Sequence, residues 1–183
     1  MERLNLASSA SITQELEDGT TVSAQRIEEP RVVPGSVAEH EAAHVVASGE
    51  IVMATIIPSG DASGTTQPVK MTAAAAAAAE AMGHDGTGWD MYLTKYVLGV
   101  DPGVAKSAAR SALSGRAEEM YEVASILQKR KTITQVDVEE ARQNVRDRRQ
   151  GIFPVEIKII TPDGKISRLT ANSFRYEVKM SDL

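Results

Sequence analysis

The sequence of 183 residues contains no cysteine, which excludes disulfide bonds, thiolate zinc sites, iron–sulfur clusters and cysteine nucleophiles. Aromatic residues make up only 4% of the chain, too few for a platform that stacks nucleic-acid bases. The net charge of −5 and the pI near 5.3 also argue against a general nucleic-acid binder, which carries a basic surplus. We therefore expect no nucleic-acid partner.

Long apolar runs are also missing. No stretch approaches the roughly 18–20 apolar residues that a membrane-spanning helix requires. The first ten residues have neither a basic start nor an apolar centre, so we expect no signal peptide. No phosphate-binding loop of the form G-x-x-x-x-G-K-[ST] occurs, so we expect no ATPase module on this chain. These absences predict a soluble, cytoplasmic protein without a membrane span.

The composition divides the chain into three parts. Residues 1–34 form a polar arm, in which a turn at Asp18-Gly19 leads into a short strand. Residues 35–150 have apolar side chains at helical spacing, which predicts a helical domain with a small β element. Residues 151–183 alternate between apolar and polar side chains and predict a β-rich tail that contains a hairpin. The expected fold class is therefore mostly α, with β-rich segments at both ends.

Turn and capping residues predict the elements of the middle part. Ser36 and Glu39 have the spacing of a capping box, so a helix should follow Ser36 and end at Gly49. The further predicted elements are a buried strand at 51–57, an edge strand at 65–71, an alanine-rich helix at 72–82, a helix at 89–98, a long helix at 102–129 that Gly115 bends or divides, and a last helix that opens at Thr134 to Asp137 and runs through Arg149.

His40 and His44 lie four residues apart within the first predicted helix. Side chains at this spacing project from one helix face, so both imidazoles can bind a single metal ion. Glu41 follows the first histidine, where a carboxylate can contact a metal-bound water rather than the metal. Zinc lowers the pKa of such a water toward about 7, and the carboxylate completes its deprotonation. The pattern predicts a zinc-dependent hydrolase with Glu41 as general base.

The structural alternative is a pair of helix-surface histidines that bind no metal. Their neighbours are small and apolar, however, which predicts a buried helix, and a buried His-Glu-His set without a metal would be costly. These neighbours are Ala42, Ala43, Val45 and Val46. We therefore favour the metal site.

A catalytic zinc site needs a third protein ligand, and the sequence offers several candidates. Asp90 stands in the first turn of its predicted helix, directly after a loop rich in glycine. His84 and Asp85 lie just upstream, and Glu80 ends the alanine-rich helix. Spacing alone does not decide among these four residues.

Residues 36–143 resemble the peptidase domain of FtsH-type ATP-dependent zinc metalloproteases. The resemblance implies a zinc metalloendopeptidase with Zn²⁺ ligands His40, His44 and Asp90 and with Glu41 as general base. It also implies a homo-oligomer, because family members form hexameric rings through this domain. The segments that carry the resemblance are HEAAHV at 40–45, TIIPSG at 55–60, AAAEAMG at 77–83 before TGWDM at 87–91, and KTIT at 131–134 between the two closing helices.

The chain also departs from that family. Ala43 stands where members usually have glycine, and the loop before Asp90 is shorter. We also expect neither the ATPase module nor the membrane anchor of that family. We therefore expect substrates that are unfolded, flexible or small polypeptides, or delivery by a separate ATPase or unfoldase. From the family-like order we also expect the strand at 51–57 to hold an extended substrate by edge pairing.

The competing hypothesis is a structural or assembly protein built on a peptidase-like core. The resemblance does not cover the arm and the tail, and hairpins with exposed edges are common docking devices. Zinc would then be structural or vestigial. The presence of Glu41 beside the expected ligands favours the enzyme, because this carboxylate contributes little to a merely structural site.

Overall fold

The computed structural model describes residues 3–5, 11–27, 32–83, 88–174 and 177–179. The chain divides into two compact units. One unit joins the two ends of the chain, Met1–Glu29 and Arg146–Leu183, and the other is Pro30–Val145.

Within the described ranges the chain forms nine strands, seven α-helices and one π-helical turn. In chain order they are β1 (Arg3–Asn5), β2 (Ser11–Glu15), β3 (Thr21–Arg26), α1 (Val37–Ser48), β4 (Ile51–Thr55), β5 (Thr65–Pro68), α2 (Ala73–Ala76), α3 (Ala78–Ala81), α4 (Gly88–Tyr92), the π-helical turn (Leu93–Val97), α5 (Pro102–Leu113), α6 (Ala117–Arg130), β6 (Thr132–Thr134), α7 (Gln135–Arg149), β7 (Ile152–Ile160), β8 (Ile166–Phe174) and β9 (Glu177–Lys179).

The unit formed by the two chain ends is an antiparallel sheet with the strand order β1-β9-β8-β7-β3-β2. β3 from the arm pairs along its length with β7 from the tail, and β7 continues into a hairpin with β8. Alternate residues of the paired strands share one face of the sheet. The small apolar core on that face consists of Val22, Ala24, Val155 and Ile157.

The expected mostly α fold class is wrong, because the chain is a mixed α/β protein with 25% of its residues in strands and two antiparallel sheets. Strands were expected at both ends of the chain, but as separate arm and tail segments. Their pairing joins residues as distant in sequence as Thr21 and Ile160. Local periodicity contains no information about such contacts, which is why it did not predict the sheet.

The predicted first helix is confirmed as α1 in the Pro30–Val145 unit. The Ser36 side chain accepts a hydrogen bond from the Glu39 backbone N–H, and the helix ends at Gly49. Glu39 in turn accepts from the Gly35 N–H at 2.6 Å. These caps satisfy backbone donors that an α-helix leaves unpaired at its first turn. They fix where α1 begins and therefore which face it buries.

A three-stranded antiparallel sheet, in the order β5-β4-β6, lies beside the helices of this unit. The strand expected at 51–57 is observed as β4 and the edge strand expected at 65–71 as β5. β6 was not predicted. Because β5 and β6 occupy both edges of β4, the expectation that this strand binds substrate by edge pairing is wrong. Among the described strands, β5 pairs on one side only.

Two of the predicted helices are divided. Ala77 leaves helical geometry between α2 and α3, and Gly115, with φ of 71°, separates α5 from α6. A positive φ of this kind is readily adopted by glycine, which has no Cβ to clash. The alanine side chains are buried and allow close helix packing, as Ala77, Ala105 and Ala109 show by forming one cluster.

The main core of this unit is built around α1, α6, α7 and β4. An ionic network secures the end of α1. Arg116 and Arg142 both donate to the Glu119 carboxylate, and they also donate to the carbonyls of Val46 and Gly49. The partly buried side chains therefore bind carbonyls that the helix leaves unpaired at its end.

No helix in the described part of the chain is both long and apolar enough to cross a membrane.

Candidate metal centre

Helix α1 brings the three residues of the motif to one region of the unit. His40 is partly buried, and Glu41 and His44 are only 4% and 8% exposed. Neighbouring alanine and valine side chains of α1 are fully buried, so the motif lies in the packed part of the helix. The alternative of two histidines on a solvent-exposed helix surface therefore does not apply.

Asp90 lies opposite the two histidines and completes a group of three ligand side chains. The Nε2 atoms of His40 and His44 are 3.2 Å apart, and each lies 3.5 Å from Asp90 Oδ2. Zinc bonds of about 2.0–2.1 Å at tetrahedral angles place neighbouring ligand atoms about 3.3–3.4 Å apart. The three separations therefore fit one tetrahedral zinc ion held by these residues.

The other ring nitrogen of His44 is fixed by a backbone carbonyl. His44 Nδ1 lies 2.7 Å from the Ala75 carbonyl oxygen in α2, so Nδ1–H is the donor. The lone pair of the neutral ring is then on Nε2, the atom that faces His40 and Asp90. Such a hydrogen bond on the far side of the ring is typical of histidines that bind metals. The close packing of the alanine-rich segment places this carbonyl.

Asp90 stands in the first turn of α4 and is 8% exposed. Within the part of the chain that the structure describes, its Oδ2 atom is buried and has no hydrogen-bond partner. Burial acts to raise the pKa of Asp90, but the two facing imidazoles outweigh it and hold that pKa well below its usual range. A buried, ionised and unpartnered carboxylate oxygen is costly unless a cation binds it.

The contact between Asp90 and the histidines also changes the pKa of His44. Burial alone would lower the pKa of this imidazole, but the Asp90 carboxylate, 3.5 Å from His44 Nε2, outweighs that effect and raises it. Without a metal, this imidazole therefore keeps a proton to a higher pH than an ordinary histidine does. A metal ion and a proton compete for such a nitrogen, so metal binding releases the proton.

Glu41 points to a loop and strand rather than to a charged partner. The Thr66 hydroxyl in β5 donates to Glu41 Oε2 at 2.7 Å. A Cβ atom added at Gly64 would lie 2.7 Å from Glu41 Oε1, so the loop packs against the carboxylate where only glycine fits. Burial raises the pKa of Glu41 despite the opposing effects of the Thr66 hydrogen bond and the two histidines.

The remaining candidates for the third ligand are not part of this group. Glu80 pairs with Lys106, with 2.6 Å between the carboxylate oxygen and Nζ. His84 and Asp85 lie outside the described residues.

A cavity of about 950 Å³ adjoins the candidate ligands. His40, Glu41, His44 and Asp90 line it, together with the segment 61–66 on one side and apolar side chains that include Trp89. A pocket of this size admits part of a polypeptide chain. The site is therefore reachable by a substrate larger than water.

Three further residues of the site have no recognisable signal in the sequence. Thr66 and Gly64 contact Glu41 and Ala75 contacts His44, yet all three belong to types that are common in any strand, loop or helix. Thr66 lies in the predicted strand at 65–71 and Ala75 in the predicted helix at 72–82, whereas Gly64 lies in neither. No motif spacing links these residues to α1.

Family models, curated proteins and solved structures were compared with the chain, and none of them matches it. Inferences about its function therefore depend on the arrangement of its own side chains and on the sequence resemblance given above.

Proposed function

We propose that this protein is a zinc metalloendopeptidase, similar to the FtsH-type peptidases, that hydrolyses peptide bonds of unfolded or flexible polypeptides. The observation that supports the proposal most is the group His40, His44 and Asp90, with ligand atoms 3.2–3.5 Å apart. Asp90 Oδ2 is buried without a hydrogen-bond partner among the described residues, as expected of an atom that binds a cation.

His40, His44 and Asp90 would hold the zinc, and three protein ligands leave a coordination position for water or substrate. When bound there, zinc would polarise the scissile carbonyl and lower the pKa of the coordinated water. The Ala75 carbonyl keeps His44 in the tautomer that this role requires.

Glu41 acts as the general base. Its Oε2 atom accepts the Thr66 hydrogen bond, and the carboxylate lines the cavity that holds the candidate ligands. This carboxylate would take the proton from the attacking water and deliver it to the leaving amine. Burial raises the pKa of Glu41 above that of an ordinary glutamate, which helps a group that must both accept and donate a proton near neutral pH.

Strand β5 offers a place for an extended substrate. It is bonded to β4 on one side only among the described strands, and Thr66 within it contacts Glu41. A peptide that adds to the outer side of β5 would run beside the general base. Because the sequence has no phosphate-binding loop, we propose that such substrates are already unfolded or are delivered by a separate ATPase.

Hydrolysis of an unfolded protein tests the proposal. The purified protein should bind about one zinc per chain and cleave casein. Glu41→Gln should retain the zinc and lose at least about 10²-fold in activity, because the base is gone while the ligands remain. Undiminished activity in this variant would refute the role of Glu41.

The structural or assembly alternative expects arm and tail to act as docking strands. In the structure, β3 of the arm and β7 of the tail pair with each other, so these backbones are already hydrogen-bonded. Glu41 and its contact with Thr66 have no use in a purely structural zinc site. A protein that binds zinc fully but cleaves no unfolded polypeptide would support this alternative.

A further inference from the structure

Three aromatic side chains form an exposed row on α4 and the π-helical turn. Trp89, Tyr92 and Tyr96 are 62%, 48% and 65% exposed. The rings of Trp89 and Tyr92 stack with centroids 5.4 Å apart, and those of Tyr92 and Tyr96 are 5.3 Å apart. We call this surface the aromatic row.

The aromatic row is unusual for this chain. The sequence has one Trp, four Tyr and two Phe, and the row exposes three of these seven aromatic residues side by side. Aromatic side chains contribute most to stability when buried, and contiguous exposed apolar surface marks binding sites. The stacking orders the rings without removing them from solvent, so their apolar faces are preformed for a ligand.

The local structure holds the row in place. Thr94 lies between Tyr92 and Tyr96 in the sequence, and its side chain is fully buried. Its hydroxyl donates a hydrogen bond to the Asp90 carbonyl at 2.9 Å. Asp90 and Thr94 therefore face the interior while the three rings occupy the opposite, solvent-exposed side. The helix that positions a metal ligand thus also positions the aromatic row.

The aromatic row is continuous with the candidate metal centre. Trp89 is the neighbour of Asp90 in sequence and lines the same cavity as His40, Glu41 and His44. A polypeptide whose scissile bond lies in that cavity can therefore contact Trp89.

We infer that the aromatic row is a subsite that binds apolar side chains of the extended polypeptide substrate, beside the scissile bond. The assignment deepens the proposed peptidase function and, for the hydrolytic step, rests on it. The occupant we assign is the substrate itself, because Trp89 joins the row to the cavity. A second copy of the chain is the competing occupant.

Trp89 provides a direct readout because it is the only tryptophan of the chain. Zinc-loaded Glu41→Gln protein can be titrated with an uncleaved peptide carrying phenylalanine or leucine at alternate positions. The matched peptide has serine at those positions. We expect saturable changes in Trp89 emission with the apolar peptide and about tenfold or weaker affinity for the serine peptide.

A double substitution tests the two tyrosines. Adding Tyr92→Ala and Tyr96→Ala should remove most of the preference for the apolar peptide, whereas Tyr92→Phe with Tyr96→Phe should keep it, because the rings remain. In the catalytically intact chain, the alanine pair should raise KM for the apolar peptide about tenfold, with zinc content retained. Val136→Ala, at an exposed position on α7, is the control that should change neither KM nor kcat.

Distinct results would overturn this inference or the proposed function. Equal affinity for both peptides, or loss of self-association in the alanine pair without a change in peptide preference, would overturn the subsite. Preferential binding of the apolar peptide by a protein that hydrolyses nothing would leave the subsite standing and contradict the peptidase. Hydrolysis of both peptides with the same KM would support the peptidase function and overturn the subsite.

Discussion

The two units of this protein differ in what they bury. The sheet formed by the chain ends has a small core of Val22, Ala24, Val155 and Ile157. The Pro30–Val145 unit has a larger core and contains all the charged or imidazole side chains that are buried among the described residues, Glu41, His44, Asp90 and Glu122. Buried ionisable groups are costly, so their presence marks where a protein retains function. The difference supports a location of the proposed chemistry in Pro30–Val145.

The largest effect is expected from removing a ligand in that unit. His44→Ala removes one of two imidazoles and leaves Asp90 Oδ2 facing an incomplete site, so zinc binding and hydrolysis should both be lost. Metal content by atomic absorption and casein cleavage measure the two losses. Glu50→Gln, at an exposed position just after the same helix, is the control. Full zinc occupancy in His44→Ala would show that the metal binds elsewhere.

The next largest loss of activity is expected from a substitution that crowds the Glu41 carboxylate. Gly64→Ala places a Cβ 2.7 Å from both Glu41 Oε1 and Val37 Cγ1, so the loop or the carboxylate must shift. Misplacing the base should lower kcat about 10²-fold while zinc stays bound. Gly88→Ala makes the same change where a Cβ meets no atom of the described residues within 4 Å, and it should keep most of the activity. Equal losses in both variants would contradict the role of Gly64.

A smaller effect, with a characteristic pH dependence, is expected at Thr66. Its hydrogen bond lowers the pKa of Glu41 against the effect of burial, so Thr66→Val should raise that pKa further. The base works only when deprotonated, and the acidic limb of kcat/KM should therefore move to higher pH. Thr66→Ser keeps a hydroxyl and should restore the profile. A pH profile unchanged in Thr66→Val would show that this bond does not act on the base.

The smallest effect on activity is expected in the other unit. Ile157 is fully buried in the sheet core, and Ile157→Val should lower the free energy of unfolding by about 0.5–1.5 kcal/mol. None of the candidate ligands belongs to that unit, so zinc affinity and kcat should not change. Urea unfolding and a hydrolysis assay test both statements. Loss of zinc binding in Ile157→Val would contradict the statement that the metal site depends on the Pro30–Val145 unit alone.

Sequence patterns predicted those features that depend on neighbouring residues. The capping residues around α1 set the helix that places His40 and His44 on one face, and turn residues indicated most helices and strands. Residue spacing in the sequence is compatible with four candidates for the third metal ligand, and only the family resemblance implies Asp90. The structure brings Asp90 to the histidines through packing that no local pattern specifies.

The features that the sequence did not predict depend on distant contacts. The sheet of the chain ends depends on pairing of β3 with β7. In the Pro30–Val145 unit, β6 pairs with β4, which places Thr134 opposite Met53 although the two residues are far apart in sequence. Thr66 and the Ala75 carbonyl reach the site in the same way, from elements that follow α1 by tens of residues. Their residue types are common, and only the tertiary structure gives them a role.

The most direct test is X-ray absorption at the zinc edge of the zinc-loaded protein. We expect a four-coordinate ion with two imidazole nitrogens and oxygen ligands from Asp90 and water, at about 2.0–2.1 Å. Asp90→Asn should alter this spectrum, whereas Glu41→Gln should not. A zinc ion that four protein groups surround, or a spectrum with fewer than two imidazoles, would contradict a catalytic centre at these residues.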